Sequence, residues 1–297
     1  MRGFVYCLAL LLAPLSMMPA SADTASRCRG LAVQGGLLLC EAAPNSVVSV
    51  IAGNQILQTG IPANEDGIAT IGIQRNSPLE LTITSNDIDS IPAVITIEER
   101  DDPVRYLTGL DCDKIDARTD AQKAHAGRSW VKKTTAFSRF ESGNGARHGF
   151  QRPANGPESS PFGPVRQYTG VGANGEVCES QSVHRGYDIA IGVGTPVMAP
   201  AAGTITLGDP DLYYEGGTVF LDHGDGLLSV FMHLNEVIAS PGDYVEAGDL
   251  IAKSGNTGRT TGPHLHWAVK WRNAGSSDRG GDFYIDPALL LSLEPAR

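Results

Sequence analysis

Five side chains in the C-terminal half of the chain have the types and spacing to gather round a metal ion: His184, Asp188, His233, His264 and His266. His184 and Asp188 are four positions apart, and in extended backbone, where side chains repeat every two residues, they project to the same side. The segment His264-Leu265-His266-Trp267-Ala268-Val269-Lys270-Trp271 alternates strictly. Leu265, Trp267, Val269 and Trp271 form an apolar face, and His264 and His266 share the other with Ala268 and Lys270. In Ser229-Val230-Phe231-Met232-His233-Leu234 the same alternation puts His233 on the side of Phe231. Each motif alone has a bland reading as a chance spacing, a solvated polar face or a structural strand histidine. Together, His184, Asp188 and His266 supply two nitrogens and one oxygen and leave a fourth tetrahedral position for water, the arrangement of a catalytic zinc site. Mg²⁺ and Ca²⁺ prefer all-oxygen shells, so one Zn²⁺ per chain is the expected cofactor. His233 and His264 are left for proton chemistry.

The H-x-x-x-D at His184 to Asp188, the aromatic-x-H-L at Phe231 to Leu234 and the G-P-H-L-H-W at Gly262 to Trp267 resemble the signature set of the M23 (lysostaphin/LytM-type) zinc metallopeptidases. The elements between them are similar too, among them Gly194-Thr195-Pro196-Val197, Asp222-His223-Gly224 and Ser254-Gly255-Asn256-Thr257-Gly258. The resemblance covers about residues 160–290. Phe231 departs from it, since the family motif often has Tyr there, and any role of that hydroxyl is lost. The resemblance implies a β-rich domain with a zinc-floored groove, His184, Asp188 and His266 as ligands, and His233 and His264 as catalytic residues. Family members cut Gly-Gly bonds or D-alanyl-diaminopimelate cross-links, so the implied substrate is the peptide stems of peptidoglycan. The implied activity is a zinc-dependent endopeptidase remodelling the cell's own wall; the alternative is a non-catalytic peptidoglycan-binding or hydrolase-activating module. In the expected mechanism His264 takes a proton from the metal-bound water and His233 helps hold the oxyanion, with either returning a proton to the leaving amine; the sequence does not distinguish which of the two is the general base.

The elements that must position these residues read as mainly β. Residues 160–297 give short strands joined by Gly-rich turns, expected to form an antiparallel M23 peptidase domain. Residues 23–110 read as a small β-sandwich-like domain: Val47 to Ala52 is a β-branched run ending in Gly53-Asn54, and Leu79, Leu81 and Ile83 alternate with Glu80, Thr82 and Thr84. This region resembles the accessory part of proteobacterial, periplasmic relatives. Residues 111–159 form a connector, partly helical over 113–140 and loop-like over 141–164. The N-terminal domain or the loop from Gly172 to Ser182 is expected to restrict access to the groove.

Met1-Arg2-Gly3, the apolar run Phe4 to Leu15 and Ala20-Ser21-Ala22 read as an export signal over 1–22, with the periplasm as destination. The run is shorter than the roughly 20 residues a membrane span needs. Four cysteines remain after Cys7 leaves with the signal; Cys28 with Cys40 is the local pairing and leaves Cys112 with Cys178, among three possible connectivities. A net charge of −10 argues against nucleic acid as partner. His223 falls at a turn and reads as structural, and His125 and His148 read as solvated.

Overall fold

The computed structural model describes residues 27–87, 92–143, 145–278 and 281–294. The expected export signal, with Cys7, lies outside them. The chain is mainly β. Near its start, β1 (Cys28–Gly30), β2 (Leu37–Glu41) and β5 (Ile68–Gly72) make one antiparallel sheet, and β3 (Val47–Ala52), β4 (Gln55–Pro62), β6 (Glu80–Ser85) and β7 (Ala93–Thr96) make a second in the order β4-β3-β6-β7. Alternation drives both: Leu81 and Ile83 are buried whereas Glu80 is exposed. Leu79, expected on the inner face, is exposed because the strand begins after it. A disulfide joins the cross-strand partners Cys28 and Cys40.

The connector is more regular than its composition suggests. Strand β8 (Val104–Asp111) runs into the short helix α1 (Cys112–Ile115) and then α2 (Asp120–Phe137). A capping box of Thr119 and Gln122 starts α2, satisfying two of the amides a helix start leaves open. Over 141–164 the loop reading holds except for a single turn at Gly145–His148 and the strand β9 (Glu158–Ser160). The stretch expected as a loop before His184 is a hairpin: β10 (Val165–Val171) turns at 172–176 and returns as β11 (Val177–Val183). β8 pairs with β10 in parallel, and the second disulfide, Cys112–Cys178, ties this three-stranded sheet to α1.

The remaining strands are β12 (Tyr187–Ile189), β13 (Pro196–Met198), β14 (Gly203–Leu212), β15 (Gly216–Gly224), β16 (Leu227–Val237), β17 (Tyr244–Val245), β18 (Leu250–Ser254), β19 (Leu265–Trp271) and β20 (Phe283–Ile285), followed by helix α3 (Pro287–Leu290). They form one antiparallel sheet with the path β17-β14-β15-β16-β19-β12-β9, to which β18, β13 and β20 attach. As expected, Leu265, Trp267, Val269 and Trp271 enter the apolar core. That core is continuous with Leu37, Val48 and Ile71 of the N-terminal sheets. Trp271 Nε1 donates to the Thr70 carbonyl at 2.9 Å, and Gly72 is a glycine because a Cβ there would stand 2.6 Å from Trp271 Cγ. The opposite face of β15, β16 and β19 carries Phe220, Leu228, Val230 and Ala268, and on it packs the end of α2 through Ala136 and Phe137. Helix α2 thus lies on the same side of the sheet as His266. Among the described residues no helix is long and apolar enough to cross a membrane.

Candidate metal centre

β12 lies beside β19 with Asp188 directly opposite His266, so the carboxylate and one imidazole meet through strand register alone. His184 sits just before β12, its backbone fixed by a hydrogen bond from its N–H to the Pro164 carbonyl. Its Nδ1 donates to the Pro161 carbonyl at 2.6 Å, which turns Nε2 toward Asp188 Oδ1 at 3.1 Å and His266 Nδ1 at 3.2 Å. His266 Nδ1 lies 2.7 Å from the same Oδ1. One ligand atom from each of the three falls within 4.8 Å of the others, and all three residues are buried. Gly186 makes room: a Cβ there would stand 2.5 Å from the His266 ring. Burial works against the charge on Asp188, yet the adjoining His184 and His266 rings outweigh it and hold the carboxyl well below its usual range. Burial pushes His184 down.

The other two histidines line the same cavity of about 630 Å³. His264 Nδ1 donates to the Gly262 carbonyl at 2.8 Å, and its Nε2 is 3.8 Å from Asp188 Oδ1. His233 Nδ1 donates to the Thr257 carbonyl at 2.9 Å, and its ring centroid is 4.8 Å from that of His264. With Nδ1 so engaged, each neutral ring presents Nε2 as an acceptor. Burial, assisted by the neighbouring imidazoles, lowers His233 to about 3.

Simple alternation misplaced His233 relative to Phe231. Phe231 is in the core with Trp267, whereas Met232 and His233 both face the cavity. The backbone at His233 has φ +63°, in the left-handed region, and this reverses the strand's facing at one residue. His223 is fully buried, bonded to the Ala202 carbonyl and Ser229 Oγ, in keeping with a structural role. His148 is exposed. His125 is not simply solvated: its Nε2 bonds the Asp211 carbonyl at 2.8 Å and its ring meets Tyr213 edge-on.

Several cavity residues escaped sequence reasoning. Arg166 of β10 donates to Asp188 Oδ2 at 2.9 Å and to Ser160 Oγ at 2.8 Å. Lys133 of α2 pairs with Glu215, and Arg259 lies over the Tyr214 ring at 4.9 Å. These come from separate elements and share no spacing that a linear reading could register.

The model of peptidase family M23 matches residues 182–278, a stretch that contains all five of the histidines and carboxylate brought together here. The crystallised catalytic domain of lysostaphin from Staphylococcus simulans is 32% identical over an alignment covering 46% of this chain and 93% of that one, with a TM-score of 0.37. Residues 182–278 form a peptidase family M23 domain. A Pseudomonas aeruginosa structure assigned to peptidase M23 aligns over 88% of this chain and 95% of its own, at 25% identity and a TM-score of 0.58, so the likeness in fold extends to the N-terminal sheets. The peptidoglycan DD-endopeptidase ShyA of Vibrio cholerae is 34% identical over 111 residues, 37% of this chain and 24% of that protein. The chain spans about a quarter of the length of such curated relatives.

Proposed function

We propose that this M23 peptidase is a zinc-dependent endopeptidase that hydrolyses peptide cross-links of bacterial peptidoglycan, exported to the periplasm and remodelling the cell's own wall. The observation that carries the reading is the convergence of His184 Nε2, Asp188 Oδ1 and a His266 ring nitrogen in a buried pocket, with two further histidines offering free Nε2 atoms alongside. Two imidazoles and one carboxylate fit Zn²⁺ and leave room for a fourth, non-protein ligand. Bound there, Zn²⁺ would supply Lewis acidity, polarising a scissile carbonyl and acidifying a water.

The chain's own residues do the rest. Pro161 and Gly262 carbonyls fix the tautomers of His184 and His264, so His264 Nε2 is an acceptor ready to take a proton in the cavity. The same Nε2 lies 3.8 Å from Asp188 Oδ1, so the proton would be taken up beside the candidate metal ligands. His233 is a poor place for a proton in the resting site because burial lowers it to about 3. With Nδ1–H held by the Thr257 carbonyl, its Nε2 would donate to an oxyanion only after the ring takes up a second proton from solvent, an uptake that negative charge beside it favours. The named activity of ShyA, a peptidoglycan DD-endopeptidase, supports peptidoglycan as the substrate class.

The test is zinc content and muropeptide release from diaminopimelate-type peptidoglycan. His264→Ala should retain stoichiometric zinc and lose about 10²- to 10⁴-fold in turnover. Asp188→Ala should lose metal and activity together, and full hydrolysis by a zinc-free Asp188→Ala protein would overturn the proposal. Zinc binding without any products from the wild type would favour the binding-module alternative.

A further inference from the structure

A carboxylate that ligates a metal through one oxygen must be prevented from rotating, because its terminal torsion is soft and roughly two-fold. Asp188 has an unusual answer. Its Oδ1 faces His184 and His266, while its Oδ2 accepts from Arg166 Nη2 at 2.9 Å. The same nitrogen donates to Ser160 Oγ at 2.8 Å. Ser160 stands directly opposite Asp188 in the β9–β12 pairing, and its hydroxyl is 3.4 Å from His184 Nδ1. One guanidinium therefore bridges the strand on either side of the carboxylate, with 21% of its side chain exposed.

Arg166 does not belong to the sheet that carries the ligands. It is on β10, between β8 and β11, where Arg166 pairs with Arg105 and Ser182. The Cys112–Cys178 disulfide holds this hairpin, with Cys178 opposite Gly170 in the ladder. The position of the guanidinium is set by a sheet whose other members are β8, far from the metal-site motifs in sequence, and β11, which ends at Val183 immediately before His184.

We infer that Arg166 is a positioning residue for the metal centre: by occupying Asp188 Oδ2 it presents Oδ1 as the single donor oxygen, and through it the β8–β10–β11 sheet sets how tightly the site holds its ion. This rests on the assignment of His184, Asp188 and His266 as the zinc ligands. Partners that orient ligating side chains in this way commonly contribute 10- to 100-fold in metal affinity. The guanidinium also offsets part of the charge of a buried carboxylate.

The experiment measures Zn²⁺ dissociation constants by competition with a chelator of known affinity, using the full exported chain, for wild type, Arg166→Gln, Arg166→Lys and Asp188→Ala. Thermal melting of each metal-free protein is recorded alongside. Arg166→Gln should bind Zn²⁺ about 10- to 100-fold more weakly with little change in metal-free melting, and Arg166→Lys, which keeps a charged donor, should recover part of the loss. Wild-type Zn²⁺ affinity in Arg166→Gln overturns the inference. So does a lowered metal-free melting temperature with unchanged affinity, which would make Arg166 a structural ion pair only. Asp188→Ala separates the two levels: if it binds Zn²⁺ like wild type, the ligand assignment itself fails, whereas if it loses Zn²⁺ while Arg166→Gln does not, only the role of Arg166 falls.

Discussion

The imidazole of His223 is fully buried, with Nδ1 donating to the Ala202 carbonyl and Nε2 accepting from Ser229, whose oxygen in turn accepts from Trp267 Nε1. Burial lowers its pKa to about 4, against roughly 6.5 in an unfolded chain. Between those values the unfolded state binds more protons, so stability is complete above pH ~6.5 and declines as pH falls toward 4, by about 3 kcal/mol from this group. Urea denaturation of metal-free protein between pH 7 and 4.5 should show a slope in which this group adds to His184 and His233, and His223→Gln should make it shallower; an equally steep variant profile would exclude a contribution from His223. At this scale most of the candidate cluster was legible beforehand, because a period of two puts His264 and His266 on one side of the segment leading into β19 without tertiary information. The same rule failed at His233, where one left-handed residue reverses the facing. Arg166 was invisible for a different reason: it meets Asp188 across two sheets, and no local pattern encodes that contact.

Helix α2 is fastened across the cavity by its own charges. Lys133 pairs with Glu215, both side chains largely buried, and Lys132 pairs with Asp209 of β14. Glu215 Oε2 already lacks a hydrogen-bond partner, so removing the lysine would strand a buried carboxylate. Lys133→Ala should therefore cost roughly 3 kcal/mol. Calorimetry should register this as a melting temperature lower by about 5–10 °C; an unchanged value would mean that packing of Ala136 and Phe137, and not the ion pair, holds the helix. The sequence placed a partly helical segment here, and Thr119-x-x-Gln122 was the available signal for its start. Gly127 and the Thr134-Thr135 pair obscured it, although Thr134 Oγ1 is accommodated by bonding back to the Trp130 and Val131 carbonyls. β8 left less trace, since its parallel partner β10 lies more than fifty residues on and parallel pairing has no turn to announce it.

Across the whole molecule the N-terminal sheets and the large C-terminal sheet share one apolar core, and Arg100 spans the junction by pairing with Asp102 and Asp286. Strand alternation revealed which residues turn inward but not which sheet they would meet, because an apolar face fits any apolar face of matching shape. Gly72→Ala tests the shared core: its methyl group would press on the Trp271 ring, and overpacking of this kind costs about 1–3 kcal/mol. Denaturation followed by far-ultraviolet circular dichroism and by release of bound metal should shift together in this variant, whereas independent shifts would mean that the two regions unfold separately. The chain has three tryptophans, and they divide cleanly: Trp267 and Trp271 are sealed in the core, while Trp130, 63% exposed, stands on α2 at the wall of the cavity. Iodide in solution can reach only that last indole. The unlabelled protein thus carries an optical gauge of its own groove, in which quenching of the red-edge emission reports a peptide lying along the wall while the blue-edge emission continues to report an intact interior.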